Sequence, residues 1–353
     1  MSTPTVSRNR SVQLIVSLGL TVALFVGGLP LISHAPWSAI GSVLTSLTGL
    51  EIVGLTTLWF AGLYAHSFVL TAAMPTLTHR RALTLNLTGS AVSNVVPLGG
   101  ALGIGLNYRM SRTWGFTPSA LALYTVVTNL WDVLTKLSLP AVALAALLLT
   151  GGVTRPQLAT AAEVALGALV LLVGAVGAAL GSDTTATRLA RGLERTTEGL
   201  LWLIHSPRTV TFVPTVLEMR RDSLALLRRG SQLSLGMIAY SVLQAALLWT
   251  CLHLFGSTLS TPQVFAGYAL ERILTLAVIT PGGAGLVEVG ITALLVAFGG
   301  APVTTVAGVL LYRAFTFGLE IPVGAAALAA WLWHHRGGRS DQVARQPQNL
   351  GSS

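Results

Sequence analysis

Long apolar runs separated by short polar segments dominate the chain. Six runs are unbroken: Val12–Ile32, Ile52–Ala73, Pro118–Leu149, Leu158–Leu180, Leu233–Phe255 and Val303–Trp333. An α-helix rises about 1.5 Å per residue, so crossing roughly 30 Å of hydrocarbon takes about 20 residues. Each run reaches that length. Two more, Ala82–Leu106 and Val264–Phe298, are interrupted by clusters of Pro and Gly. The pattern predicts an all-α polytopic membrane protein with eight hydrophobic segments: six full transmembrane helices and two broken, re-entrant hairpins. Plain hydropathy counts eight crossings instead. Pro140 is expected to bend the long 118–149 run or divide it in two.

Positive charge orients these segments, because basic loops stay on the cytoplasmic side. Arg8/Arg10, Arg80/Arg81, Arg109/Arg112, the Arg188–Arg229 stretch and Arg336/Arg339/Arg345 are placed there; Arg155 is the mild exception. The segments 34–50, 256–262 and 299–302 carry no Lys or Arg and are placed outside. The first broken run therefore enters and leaves from the cytoplasm and the second from the opposite face, as in an inverted repeat. Both termini fall in the cytoplasm of a plasma (inner) membrane protein. Residues 1–333 form one transmembrane domain. Its 183–230 loop holds eight Arg and five acids, and Thr187–Leu203 and Val216–Leu227 within it are amphipathic enough for interfacial helices. The polar tail 334–353 is expected to be disordered. The first run follows Arg8 and Arg10 like a signal sequence, but exceeds the ~7–15 apolar residues of one, so it is read as an uncleaved helix.

Composition narrows the function classes. Of 353 residues, 52% are hydrophobic and 9% charged, against roughly 25% charged in a soluble domain. A cytosolic enzyme, a secreted domain and a disordered chain are excluded. The 21 basic and 12 acidic residues leave +9. Lys136 is the sole Lys. Basic loops beside anionic lipid account for this excess without nucleic acid. Cys251 alone excludes an intrachain disulfide and a Cys metal cluster. His66, His205 and His253 show no metal-ligand spacing, so no cofactor or metal is expected.

The two interruptions carry the candidate chemistry. One is Asn94-Val-Val-Pro97-Leu-Gly99-Gly100, followed by Arg109; the other is Thr280-Pro281-Gly282-Gly283-Ala-Gly285-Leu-Val-Glu288. Pro removes a backbone donor and Gly permits positive φ, so both helices should break there. Broken backbone inside hydrocarbon is tolerated only against protein or a water-filled cavity. Two such breaks in different halves point to a transporter's substrate site near the midplane. Amides exposed after each Gly-Gly would suit a phosphate or carboxylate. Close helix packing is the alternative use of these glycines.

Ionisable residues within apolar runs are costly and mark function or pairing. They are Asp132, Lys136, Glu271, Arg272, Glu288, Arg313 and Glu320. Asp132 and Lys136, spaced i,i+4, share a helix face and serve either as a structural pair or as a proton or ion-pair site. Glu271 and Arg272 point apart and need separate partners. A Glu288–Arg313 or an Arg272–Glu320 salt bridge is a candidate pairing. Asn94 and Asn129 either contact a head group or bond between helices.

The Pro281–Glu288 motif, preceded by Glu271-Arg272, resembles the lysylphosphatidylglycerol synthase transmembrane (flippase-like) family. Asn94, Pro97, Gly99 and Gly100 resemble its first Pro/Gly segment, with Ala101 standing where an acid often follows the glycine. The resemblance covers about 12–333 and implies movement of an anionic or aminoacylated phospholipid, or a glycolipid, between leaflets. Some twenty polar residues follow Trp333, so the fused aminoacyltransferase activity is not carried over. Substrate contacts are expected from Asn94, Pro97, Gly99, Gly100, Arg109, Arg272, Pro281, Gly282, Gly283, Gly285, Glu288, Arg313 and Glu320. Two other readings stay open. One is a membrane-embedded enzyme acting on a polyprenyl-phosphate or lipid. The other is an accessory subunit for a cell-envelope biosynthesis enzyme. Membrane lipids are the expected partners, with such an enzyme or a second copy as further ones.

Overall fold

The computed structural model describes residues 19–95, 99–150, 230–276 and 280–344, with isolated helical positions between 167 and 191. Nearly all of the Leu158–Leu180 run and of the 183–230 loop lies outside the described residues, as does 345–353. The described residues form helices joined by short turns, with no strand among them.

The N-terminal apolar helix widens into a π-helical stretch at Leu24–Gly28 and ends as α1 (Leu29–Ser33). The 34–50 segment, read from its polarity as a connector, holds a short helix, α2 (Trp37–Leu44), started by Pro36. Then come α3 (Gly49–Ala73), α4 (His79–Val95), α5 (Gly99–Thr113) and α6 (Pro118–Leu149). After the undescribed stretch follow α7 (Gly230–His253), α8 (Thr261–Leu274), a 3-10 turn Pro281–Gly283, α9 (Leu286–Ala297) and α10 (Pro302–Arg313). A π-helical stretch, Ala314–Leu319, joins α10 to α11 (Glu320–Ala344).

Local chemistry sets these boundaries. Thr48 and Glu51 cap α3 reciprocally: the Glu51 carboxylate accepts the Thr48 N–H at 2.7 Å, and the Thr48 hydroxyl accepts the Glu51 N–H at 3.3 Å. Ser260 and Gln263 repeat the device on α8. Pro118 and Pro302 open α6 and α10, where a missing N–H costs nothing. Pro140 leaves α6 undivided. The C-terminal tail begins as helix, since α11 runs to Ala344. Extending an existing helix is far easier than nucleating one.

Among the described residues, Gly49–Ala73, Pro118–Leu149, Gly230–His253 and Pro302–His334 are long and apolar enough to cross a membrane. Their outward faces are oily. Leu50 and Val53 on α3, Val142 and Leu149 on α6, and Leu235 and Ile238 on α7 are all exposed. Water would penalise such a surface, and lipid does not. The protein is therefore a multi-pass membrane protein.

The pairing of α3 with α7 gives the bundle its axis. Gly62 lies against Gln244 and Gly236 against Val69, so the two helices run antiparallel. One end of the bundle buries Ala72, Leu77, Ala82, Met110, Phe116, Leu121 and Leu233 together. The other end buries Leu55, Leu252, Leu259, Val264 and Leu295.

Candidate functional site

Both interrupted runs fold as helical hairpins. In the first, α4 and α5 run antiparallel: Gly99 sits on Val92 and Ser93, Gly103 on Gly89, and Thr88 reaches Met110. A Cβ on Gly99 would stand 2.6 Å from the Val92 carbonyl oxygen, so glycine is what lets the chain double back. In the second, Gln263 donates to the Phe298 carbonyl at 3.5 Å, Gly267 packs on Leu295, and Gly290 packs on Leu274. Its reversal uses Pro281 followed by Gly282 at φ 56°, Gly283 at φ 73° and Gly285 at φ 84°. L-side chains rarely adopt such values.

The hairpins come from opposite ends of the bundle. The base of the first, with Ala82 and Met110, lies in the cluster around Leu77 and Leu233. The base of the second, with Val264 and Leu295, lies in the cluster around Leu55 and Leu252. Their tips meet in between, where the Asn94 side-chain oxygen lies beside Gly282.

Between the tips and the long helices lies a cavity of about 460 Å³. Asn94, Gly99, Gly100, Asp132, Lys136, Arg272, Pro281, Gly282, Gly283, Arg313 and Glu320 all line it. Pro97 lies outside the described residues. Gly285 and Glu288 stand behind the wall. Arg109 is exposed and away from the cavity, because α5 carries it about 15 Å down its axis from Gly99. The 94–109 segment thus contributes its tip alone.

Two charged groups organise the walls. In the first, Arg313 Nε donates to Glu288 Oε1 at 2.8 Å, Arg313 Nη2 donates to the Gly282 carbonyl at 3.0 Å, and Nη1 stands 3.6 Å from Glu271. Tyr312 OH donates to Glu271 Oε2 at 2.7 Å. Arg313, Glu271 and Glu288 are all buried. The Glu288–Arg313 bridge, a candidate from sequence, is present. In the second group, Lys136 Nζ meets Asp132 at 2.7 Å, and Arg272 Nη2 lies 3.9 Å from the same carboxylate. Arg272 also lies over the rings of Tyr240, at 5.8 Å, and Tyr268, at 5.9 Å. The Arg272–Glu320 bridge does not form. Arg272 points from α8 toward α6 and takes Asp132 instead.

The anion-binding amides expected after Pro281-Gly-Gly are occupied by the chain itself. Gly283 N–H donates to the Thr280 carbonyl, Ala284 N–H to the Pro281 carbonyl, and Gly285 N–H to Glu288 Oε2 at 2.6 Å. Glu288, rather than a ligand, fills the positive end of α9. Its side chain holds the hairpin tip to Arg313.

Several lining residues escaped the sequence reading. Gln244 and Tyr240 on α7 and Ser90 and Ser93 on α4 belong to the wall, which Glu271 of α8, singled out for its charge alone, also lines. Gln244, the large amide inside the 233–255 run, was the legible signal. The Gln244 side-chain oxygen and the Thr280 hydroxyl are buried with no hydrogen-bond partner among the described residues. Unpaired buried polar atoms are costly, and a polar ligand relieves that cost. Among the described residues, no group of three His, Cys, Asp or Glu side chains is placed to hold a metal ion.

No curated relative matches the chain. A family model described as the lysylphosphatidylglycerol synthase TM region matches residues 12–324, spanning both hairpins and every lining residue of the cavity. The chain belongs to that family of membrane-embedded regions.

Proposed function

We propose that the protein is a lipid translocase that passes a polar head group between leaflets while the acyl chains stay in the bilayer. One observation carries this reading: hairpin tips from opposite ends of an oily bundle meet at a polar cavity holding both signs of charge. An amphiphile needs that combination, because dragging a charged head group through hydrocarbon is the step that stops unaided movement. The membership of the family fits a lipid cargo. On this reading the two hairpins belong to inverted halves, and rocking one against the other opens the cavity to each leaflet in turn.

The charges favour a head group with an amine over a purely anionic one. Among the described residues, four acids around the cavity, Asp132, Glu271, Glu288 and Glu320, stand against three bases, Lys136, Arg272 and Arg313. Arg272, 3.9 Å from the Asp132 carboxylate against 2.7 Å for Lys136, is engaged loosely enough to turn toward a phosphate. Translocation is measured by reconstituting the full chain into phosphatidylglycerol vesicles with a fluorescent lysylphosphatidylglycerol analogue. A membrane-impermeant quencher then reads the outer leaflet. Wild type is expected to expose the inner-leaflet pool, and Arg272→Ala to slow this about tenfold or more. Wild-type vesicles that behave like protein-free ones refute the reading.

A further inference from the structure

The ion pairs around the cavity leave one carboxylate out. Asp132 has Lys136 and Arg272, while Glu271 and Glu288 share Arg313. No Lys, Arg or His nitrogen among the described residues lies within 4.0 Å of Glu320. Yet Glu320 is only 7% exposed and lines the cavity. It opens α11 directly after the π-helical stretch Ala314–Leu319. Single π-turns in helices often occur at functional positions.

The elements packed around Glu320 offer it polar groups but no cation of its own. Ser90 faces it from α4 and Trp59 from α3. Tyr240 of α7 faces the same space, and the His66 ring packs against it at 4.8 Å. Arg313 of α10 and Arg272 of α8 act on it from a distance and are already engaged. A buried carboxylate without a counter-charge is not tolerated as an anion. Two things relieve it: a proton on its oxygen, or a cation brought in by the ligand. They occupy the same place and exclude each other.

Resting on the translocase reading, we propose that Glu320 is an exchange site that carries a proton in the lipid-free cavity and gives it up when a head-group ammonium arrives. The O–H bond of the carboxyl breaks, the proton leaves to water, and the carboxylate accepts hydrogen bonds from the R–NH3+ group. The net charge inside the cavity is the same before and after. Lipid movement one way is thereby tied to proton movement the other way.

Infrared difference spectra of the full-length protein in detergent, between mildly acidic and mildly alkaline buffer, test the exchange directly. Lipid-free wild type is expected to show the C=O stretch of a protonated carboxyl that Glu320→Gln loses. Glu320→Asp, which keeps a titratable group, is expected to retain a shifted band. Added lysylphosphatidylglycerol should abolish the wild-type band, and phosphatidylglycerol should leave it. A missing band in lipid-free wild type, or a band that survives Glu320→Gln, overturns the proposal. So does equal loss with both lipids. Vesicles with an entrapped pH dye report the two ideas separately. Lipid movement in wild type without proton counterflow sinks the exchange and leaves translocation standing. Displacement of the band by lipid without any leaflet movement sinks translocation and leaves the exchange site standing.

Discussion

Arg313 holds three acceptors at once, and that decides what its loss should do. Its guanidinium binds Glu288, the Gly282 carbonyl and, more loosely, Glu271, all away from lipid. Removing one partner of a buried pair strands the other charge, at a cost of about 3–5 kcal/mol. Arg313→Met strands two carboxylates, whereas Glu288→Gln strands none, because Glu271 still faces the guanidinium. Arg313→Met is therefore expected to lower the unfolding temperature in detergent more than Glu288→Gln does. The double variant should recover part of the difference. A normal melting point in Arg313→Met, with lipid movement lost, would instead return Arg313 to direct substrate contact. The Glu288–Arg313 pair was legible because both residues stand out in apolar runs. Its purpose was not: only the folded hairpin shows Glu288 reaching back three residues to the Gly285 amide. The partner of Arg272 was not legible either, because the rotation of α8 against α6 is set by packing.

Among the elements, both hairpins announce themselves through Pro and Gly, because Pro beside paired glycines inside an apolar run breaks a helix. The π-helical stretch Ala314–Leu319 leaves no such mark. Its sequence, AFTFGL, contains no Pro, and nothing in its composition announces the wider turn. The helix in 34–50 was hidden for a related reason. Trp37–Leu44 gains its stability against α10, around Ile40 and Val306, more than from its own composition. Gly99 and Gly100 separate the two uses of glycine in the first hairpin. A Cβ on Gly99 meets the Val92 carbonyl at 2.6 Å and the Ser93 Cα at 2.7 Å, both backbone atoms that cannot turn aside. A Cβ on Gly100 meets nothing within 4 Å. Gly99→Ala is expected to destabilise the protein by about 1–3 kcal/mol, and Gly100→Ala to be neutral or better, since Ala favours helix by about 1 kcal/mol over Gly. Chemical denaturation of the two variants in detergent checks this. Equal effects would mean that the hairpin is looser than these distances require.

For the whole molecule, the opposed hairpins and the charge asymmetry describe one axis. No acid occurs between Glu51 and Asp132, while Arg80, Arg81, Arg109 and Arg112 fall in that interval. These arginines belong to the base of the first hairpin. There Arg81 stacks on Trp114 at 5.2 Å, and Arg112 donates to the Phe116 carbonyl at 2.8 Å. The base of the second hairpin, next to 256–262 and 299–302, carries no Lys or Arg. Basic residues stay in the cytoplasm during insertion, so the first base is expected inside and the second outside. Labelling with a membrane-impermeant maleimide decides the matter. Cys251 is buried and is the only cysteine, so Cys251→Ala provides a silent background at little packing cost. On that background Thr258→Cys, exposed before α8, is expected to react in intact cells. Arg112→Cys, exposed near the end of α5, should react only after the membrane is opened or inverted. Labelling of both from one side would place the two hairpin bases on the same face. Alternating exposure of the cavity to the two leaflets would then have no structural basis, because neither tip could close it from the opposite side.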